Sequence, residues 1–189
     1  MIWCLLTLVL MVPPWNQSAL PRVIIETDAG DIDIEVDTVR APDTAANFLR
    51  YVDGGFYNGG RFHRTVKPDN QPNNEVKIEV IQAGASAIRT RDYLPPIPLE
   101  RTSVTKLTHA DGTVSMARSE PDSARDQFFI CIGHQPELDF GGKRNPDGQG
   151  FAAFGRVVRG MDVVKKIQAA PADGQNLRPP VRIVRARRL

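Results

Sequence analysis

Beyond residue 21 the chain breaks into short runs of alternating apolar and polar side chains, set off by Gly, Pro, Asp or Asn. Successive side chains of a strand point to opposite faces of its sheet, so each such run is a strand with a side to bury. "RVIIETDAGDIDIEVD" reads as a hairpin about "DAGD", with Ile32, Ile34 and Val36 on one face. "RFHRTV" (61–66), "VKIEVIQAG" (76–84), "GTVSMAR" (112–118), "DQFFICIG" (126–133), "FAAFGRVVRG" (151–160) and "VRIVRARR" (181–188) continue the series. Two segments have helical spacing. "APDTAANFLRYVDGG" opens on Pro42, repeats at Ala45, Phe48, Leu49 and Val52, and stops at Gly54-Gly55. "MDVVKKIQAA" is the second, and residues 85–112, with "YLPPIPLE", read mostly as loop. Many short strands with few helices call for a sheet that closes on itself, a mostly β antiparallel barrel whose ends two helices plug. No repeat, low-complexity tract or linker divides residues 22–189, which form one domain.

The first twenty residues carry no charged side chain, and Ile2–Val12 are apolar apart from Thr7. Such a run suits a signal peptide better than a membrane span, and residues 1–21 are expected to direct export to a periplasmic or secreted location. If the leader serves otherwise, the protein is cytoplasmic or membrane-tethered. The Asn16 sequon "NQS" falls inside this leader. Of the two cysteines, Cys4 also lies there and Cys131 sits in a strand, so no internal disulfide is expected after cleavage. Lys and Arg number 24 against 22 Asp and Glu, a balance that predicts no nucleic-acid partner. The basic cluster "VRIVRARRL" is accounted for by a terminal strand with a solvated charged side.

Familiar catalytic signatures are missing. His63, His109 and His134 are scattered, with no Cys or carboxylate at ligand spacing, so no metal is expected. There is no phosphate-binding loop, no dinucleotide fingerprint and no nucleophile elbow, so no cofactor is expected either. Three residues in strands stand out instead. Strict alternation puts Phe62, Arg64 and Val66 on one face, and a guanidinium among hydrophobes needs either a carboxylate or a ligand. In "DQFFICIG", Phe128, Ile130 and Ile132 share the core face, which points Phe129 outward with Gln127 and Cys131. Gln82 lies near the end of "VKIEVIQAG". Together these describe a shallow apolar pocket flanked by polar donors.

The ordered strings "GFYNGGRFHRTV", "VIQAG", "GTVSMAR", "QFFICIG", "LDFGG" and "FAAFGRVVRGMDVVKKI" resemble the cyclophilins from about Val23 to Arg188. That resemblance implies an eight-stranded antiparallel barrel capped by two helices, and peptidyl-prolyl cis-trans isomerase activity on proline-containing segments of unfolded or flexible proteins, by a monomer. It implies catalytic roles for Arg64 and Gln82. It also implies substrate contacts at Val80, Ala117, Arg118, Phe129, Leu138 and Phe151. Two departures bear on the pocket. A longer loop, "KPDNQPNNEVKIEV", puts Glu79 where the family has a pocket phenylalanine, and "FGGKRNPDGQG" is inserted after Asp139. Glu137 stands where cyclosporin-sensitive members have tryptophan, so weak or no cyclosporin binding is expected. The alternative to an efficient isomerase is a catalytically weak proline-peptide-binding chaperone on the same fold. Strand alternation bears on this choice, because it turns Glu79 away from the face that carries Val80 and Gln82.

Overall fold

The computed structural model describes residues 20–88 and 93–189, so the leader up to residue 19, with Cys4 and the Asn16 sequon, lies outside it. Strands β1 (Arg22–Thr27) and β2 (Gly30–Val36) form the expected hairpin, turning at Asp28 and Ala29 with Thr27 paired to Gly30. Gly30 takes φ +134°, and a Cβ there would stand 2.8 Å from a methyl of Val163. Only glycine fits both constraints.

Helix α1 (Pro42–Asp53) begins with Pro42 in its first turn and has no side-chain cap of its own. Its unpaired backbone donors are met from a distant loop, where Glu100 accepts from the amides of Asp43 (3.3 Å) and Thr44 (2.7 Å). A carboxylate at a helix N-terminus satisfies both the orphan N–H groups and the helix dipole.

The remaining strands are β3 (Arg61–Val66), β4 (Val80–Gly84), β5 (Thr113–Met116), β6 (Phe128–Cys131), β7 (Ala152–Arg159), β8 (Ala172–Asp173) and β9 (Asn176–Arg188). Eight of them pair in the order β1-β2-β7-β5-β6-β4-β3-β9, and β1 pairs back onto β9 to close the barrel. Every pairing is antiparallel. The two-residue β8 is a small addition, a hairpin partner of the first residues of β9. Helices α2 (Thr102–Thr105) and α3 (Met161–Gln168) follow, with short 3-10 turns at Pro68–Asn70 and Pro136–Leu138.

The described part of residues 85–112 is mostly loop, as expected, and holds the one-turn α2, which is too short to display a period. One expectation is corrected. The strand expected from Val76 starts at Val80. The backbone of Glu79 is nonetheless satisfied, since its amide donates to Gln135 Oε1 and its carbonyl accepts from Ile132. The two helices expected from the sequence are α1 and α3, and both pack apolar side chains into the barrel core.

Alternation sorts the apolar residues into two bodies. Inside the barrel, Phe128 meets Phe48, Tyr57 and Phe62 edge-on, at centroid distances of 5.5, 5.4 and 6.0 Å. Ile25, Ile32, Ile34, Ile81, Ile130 and Phe154 fill the space around them. On the outer side of β4 and β6 lies a smaller cluster of Val66, Ile78, Val80, Phe129, Cys131 and Leu138. Cys131 is fully buried there, and burial pushes its thiol up, which suits a small hydrophobe and not a nucleophile.

Candidate active site

A β-bulge decides where Arg64 points. Phe62 pairs with Ala83, but Arg64 pairs with the adjacent Gln82, so β3 carries one extra residue between them, His63. Phe62 consequently enters the barrel core, while Val66 joins the outer cluster. The expectation that Phe62, Arg64 and Val66 share a face fails at this point, because a bulge reverses the alternation. Arg64 emerges on the outer side without the company of Phe62.

The question of its partner is answered by amides. Arg64 donates from Nε (2.9 Å) and Nη2 (2.6 Å) to Gln175 Oε1, and from Nη1 (2.9 Å) to Gln82 Oε1. No carboxylate pairs with it among the described residues. Partial burial lowers its pKa, yet a guanidinium stays charged at any working pH. Both glutamines are themselves held, Gln175 by donating to Asn70 O (3.1 Å) and Gln82 by donating to Gln127 Oε1 (2.6 Å). Of the five N–H groups a guanidinium offers, one on Nη1 and one on Nη2 remain for a ligand.

Beside this fork lies a cleft of about 310 Å³. All eight residues anticipated from the sequence line it: Arg64, Val80, Gln82, Ala117, Arg118, Phe129, Leu138 and Phe151. Phe129 is the floor. The residue is only 4 % exposed and forms the base of the pocket on the outer side of β6, where alternation points it. Phe151 meets it edge-on at 5.3 Å, and His109 stacks beneath it at 5.9 Å.

His109 is fixed in turn by Asp139 at Nδ1 (2.7 Å) and Ser115 Oγ at Nε2 (3.0 Å). With a proton on Nδ1 the ring donates to the carboxylate, and Nε2 pairs with the hydroxyl. Ser115 is fully buried, so this trio braces Phe129 and attacks nothing. Sequence reasoning passed over His109 because Asp139 is 30 residues away and no spacing marks the contact.

The two departures from the family pattern meet over the cleft. Arg144, from the insertion after Asp139, donates from Nη1 to Gln71 Oε1 (2.8 Å) and to Val76 O (2.7 Å), both in the lengthened loop. Gln71 also ties down Ile78 by donating to its carbonyl (2.8 Å) and accepting from its amide (3.3 Å). Ile78 thereby lines the cleft and supplies the apolar wall that Glu79 was expected to cost. The Glu79 side chain faces elsewhere and accepts from Gln168 Nε2 (2.9 Å). Glu79→Ala should accordingly leave turnover within a few-fold of wild type in an isomerisation assay. A collapse of activity would mean that Glu79, not Ile78, shapes the wall.

Arg118 is less available than a substrate-contacting role implies. Its side chain is 1 % exposed. It donates to Asp147 at 2.7 and 3.0 Å and to Gly150 O at 2.8 Å, and it lies 5.2 Å over the Phe151 ring. The Arg118 fork holds the Asp147 carboxyl below the usual carboxylate range. Arg118 therefore anchors the insertion and backs Phe151. The insertion returns at Gly150, where φ is +66° and a Cβ would stand 2.5 Å from the Asp139 backbone. Past Gln82 and Ala117 the groove continues into a second hollow of about 260 Å³ beside Ser119, Ser123 and Gln127.

Known proteins share this arrangement at the level of both sequence and fold. The family described as "Cyclophilin type peptidyl-prolyl cis-trans isomerase/CLD" matches residues 22–188. A peptidyl-prolyl cis-trans isomerase of Acinetobacter baylyi is 36 % identical over 177 residues, 89 % of this chain and 87 % of the relative. Peptidyl-prolyl cis-trans isomerase A of Dickeya dadantii is 34 % identical over 163 residues, 86 % of this chain and 78 % of that protein. Among solved structures, a cyclophilin-type isomerase of Cryptosporidium parvum superposes with a TM-score of 0.70 at 21 % identity, covering 89 % of this chain and 97 % of its own. The same isomerase was also solved in the presence of the dipeptide Ala-Pro, with a TM-score of 0.68, 21 % identity and coverage of 87 % and 96 %. The family match, at residues 22–188, spans the barrel from β1 to β9 and takes in the cleft, and on that ground the chain belongs to the cyclophilin-type peptidyl-prolyl cis-trans isomerases.

Proposed function

We propose that isomerisation takes place in the cleft between Arg64 and Phe129, with the proline ring on the apolar floor and the X–Pro amide under the Arg64 fork. An X–Pro bond turns slowly because amide resonance opposes twisting, with a barrier of roughly 18–20 kcal/mol. No bond is made or broken, so the enzyme must favour the twisted amide over the planar one. At the twisted geometry the prolyl nitrogen regains a lone pair, which a fixed N–H donor can meet. A planar amide offers no such acceptor, so the hydrogen bond belongs to the transition state alone.

The observation that carries this reading is the state of Arg64: charged, partly desolvated, clamped by Gln82 and Gln175, and left with two N–H groups. A donor already in place costs no reorganisation when the amide twists. Gln82 orients the fork, and Ile78, Val80, Leu138 and Phe151 enclose the ring from the sides. The apolar wall that Ile78 supplies beside Glu79 supports an efficient isomerase over a weak peptide-binding chaperone. Ala-Pro, the dipeptide named with the Cryptosporidium structure, is the smallest ligand that would fill such a floor.

The test is proton NMR exchange spectroscopy on an Ala-Pro-containing tetrapeptide with the full chain. Catalysed cis–trans exchange within seconds, against tens to hundreds of seconds unassisted, is the expected result. An unchanged exchange rate at saturating enzyme would contradict it.

Cyclosporin should bind weakly, since Glu137 presents a carboxylate that an apolar macrocycle would have to desolvate. Its Oε2 already accepts from the Lys143 amide at 2.8 Å, which keeps the charge in place. Inhibition at nanomolar cyclosporin in the same assay would refute this placement of Glu137.

A further inference from the structure

The cleft is electrostatically one-sided. Arg64 and Arg144 both line it, and no Asp or Glu does. Arg64 leans on the amide oxygens of Gln82 and Gln175, and Arg144 on the Gln71 amide oxygen and the Val76 carbonyl. Such oxygens satisfy N–H geometry but leave the positive charge uncancelled. The third arginine of the cleft, Arg118, is neutralised by Asp147. Glu137, next to the insertion, gives its carboxylate to the Lys143 backbone and forms no ion pair with Arg144. Lys77 adds a further cation nearby, donating to the Gln71 carbonyl. Burial lowers the pKa of Arg144, and the charge of Arg64 lowers it further, so the two guanidiniums feel each other. Two like charges beside an apolar floor are unfavourable in the empty cleft and favourable once an anion arrives.

The isomerase reading needs only one of these cations. Arg64 serves the twisted amide, whereas Arg144 comes from the insertion and is tied to Gln71 and Val76 of the lengthened loop. We infer that Arg144 selects X–Pro segments that carry a carboxylate within one or two residues of the proline. The anion is either an acidic side chain or the C-terminal carboxylate of a peptide ending at or just after proline. A guanidinium reads either one as a bidentate partner. This inference rests on the proposed cleft and adds a substrate class to it.

The experiment compares matched peptides on the full chain by NMR exchange, with Kd taken from the same titrations. One set is Ac-Ala-Ala-Pro-Yaa-Ala-NH2 and another is Ac-Ala-Xaa-Pro-Ala-NH2, with Glu, Gln or Lys at the variable position. A third compares Ac-Ala-Ala-Pro as free acid and as amide, which separates a side-chain anion from a terminal one. In at least one set the carboxylate should improve kcat/KM about tenfold over its neutral match, mainly through KM. That advantage should shrink as salt rises, and the Lys peptides should be the poorest. Arg144→Met should bring the ratio to within about twofold of unity, and Arg144→Lys should keep part of it. A purely structural role would lower acidic and neutral peptides together and leave the ratio intact.

A wild-type ratio near one in all three sets overturns the inference, as does a ratio that survives Arg144→Met. Turnover of the neutral peptides leaves the isomerase reading standing in either case. Were no peptide turned over, that reading would fall, and the Kd ratios would still decide the role of Arg144.

Discussion

Arg64→Ala should lower kcat/KM for a proline tetrapeptide by about two orders of magnitude or more, the usual cost of removing a preorganised donor. The loss should appear in kcat, because the hydrogen bond to the prolyl nitrogen exists only near the twisted geometry. Peptide Kd should move little, since the apolar floor of Phe129, Val80 and Leu138 stays in place. Stability should fall by no more than about 1–2 kcal/mol, because the partners set free are two amide oxygens and not a buried carboxylate. Arg64→Lys sharpens the test. It keeps the charge but cannot hold Gln82 and Gln175 with one planar fork, so it should rescue only a small part of the activity. Wild-type turnover in Arg64→Ala would remove this residue from the mechanism.

Phe128 and Phe129 are neighbours in sequence and lie on opposite sides of the barrel wall, so they should fail differently. Phe129→Ala removes the floor on which the proline ring would sit and leaves a hollow above His109. The expected cost in transition-state binding is on the order of 2–4 kcal/mol, read as a fall in kcat/KM normalised to folded protein. Phe128→Ala opens a cavity among Phe48, Tyr57 and Phe62, and should cost about 3–5 kcal/mol of stability. Its folded fraction should keep most of the turnover. Phe129→Leu, which restores volume without a flat face, should fold better than Phe129→Ala while remaining impaired. Equal activity losses in Phe128→Ala and Phe129→Ala, each normalised to folded protein, would mean that the cleft is placed on the wrong side of β6.

That division between two adjacent phenylalanines was legible from alternation alone, because β6 has no irregularity to disturb it. The same rule misled at β3, where the bulge at His63 is set by pairing with β4 and β9 and leaves no mark in "RFHRTV". Arg64 was noticed because a guanidinium in an apolar strand is costly, but the sequence held no hint of Gln175, which reaches it from 111 residues away. Arg144 and Gln71 are 73 residues apart and belong to two loops without a period, so their junction appears only in three dimensions. Ile78 became a wall for the same reason, since Gln71 holds it where strand propensity alone could not. The family resemblance carried Ala117, Arg118, Leu138 and Phe151 to the cleft. It could not show that Asp147, inside an insertion, would occupy the Arg118 guanidinium.

In this mechanism a proline segment sits between Phe129 and Arg64 while its bond turns. It is tested most directly by following the Arg64 Nε–H resonance and the backbone amides during titration with an Ala-Pro tetrapeptide. Shifts should concentrate on Arg64, Gln82, Ala117 and Phe129, and the peptide's cis and trans signals should exchange at the catalysed rate in the same tube. Catalysed exchange with these resonances unmoved, and shifts gathered instead around a separate hollow lined by Ala29, Ile167 and Pro180, would contradict it.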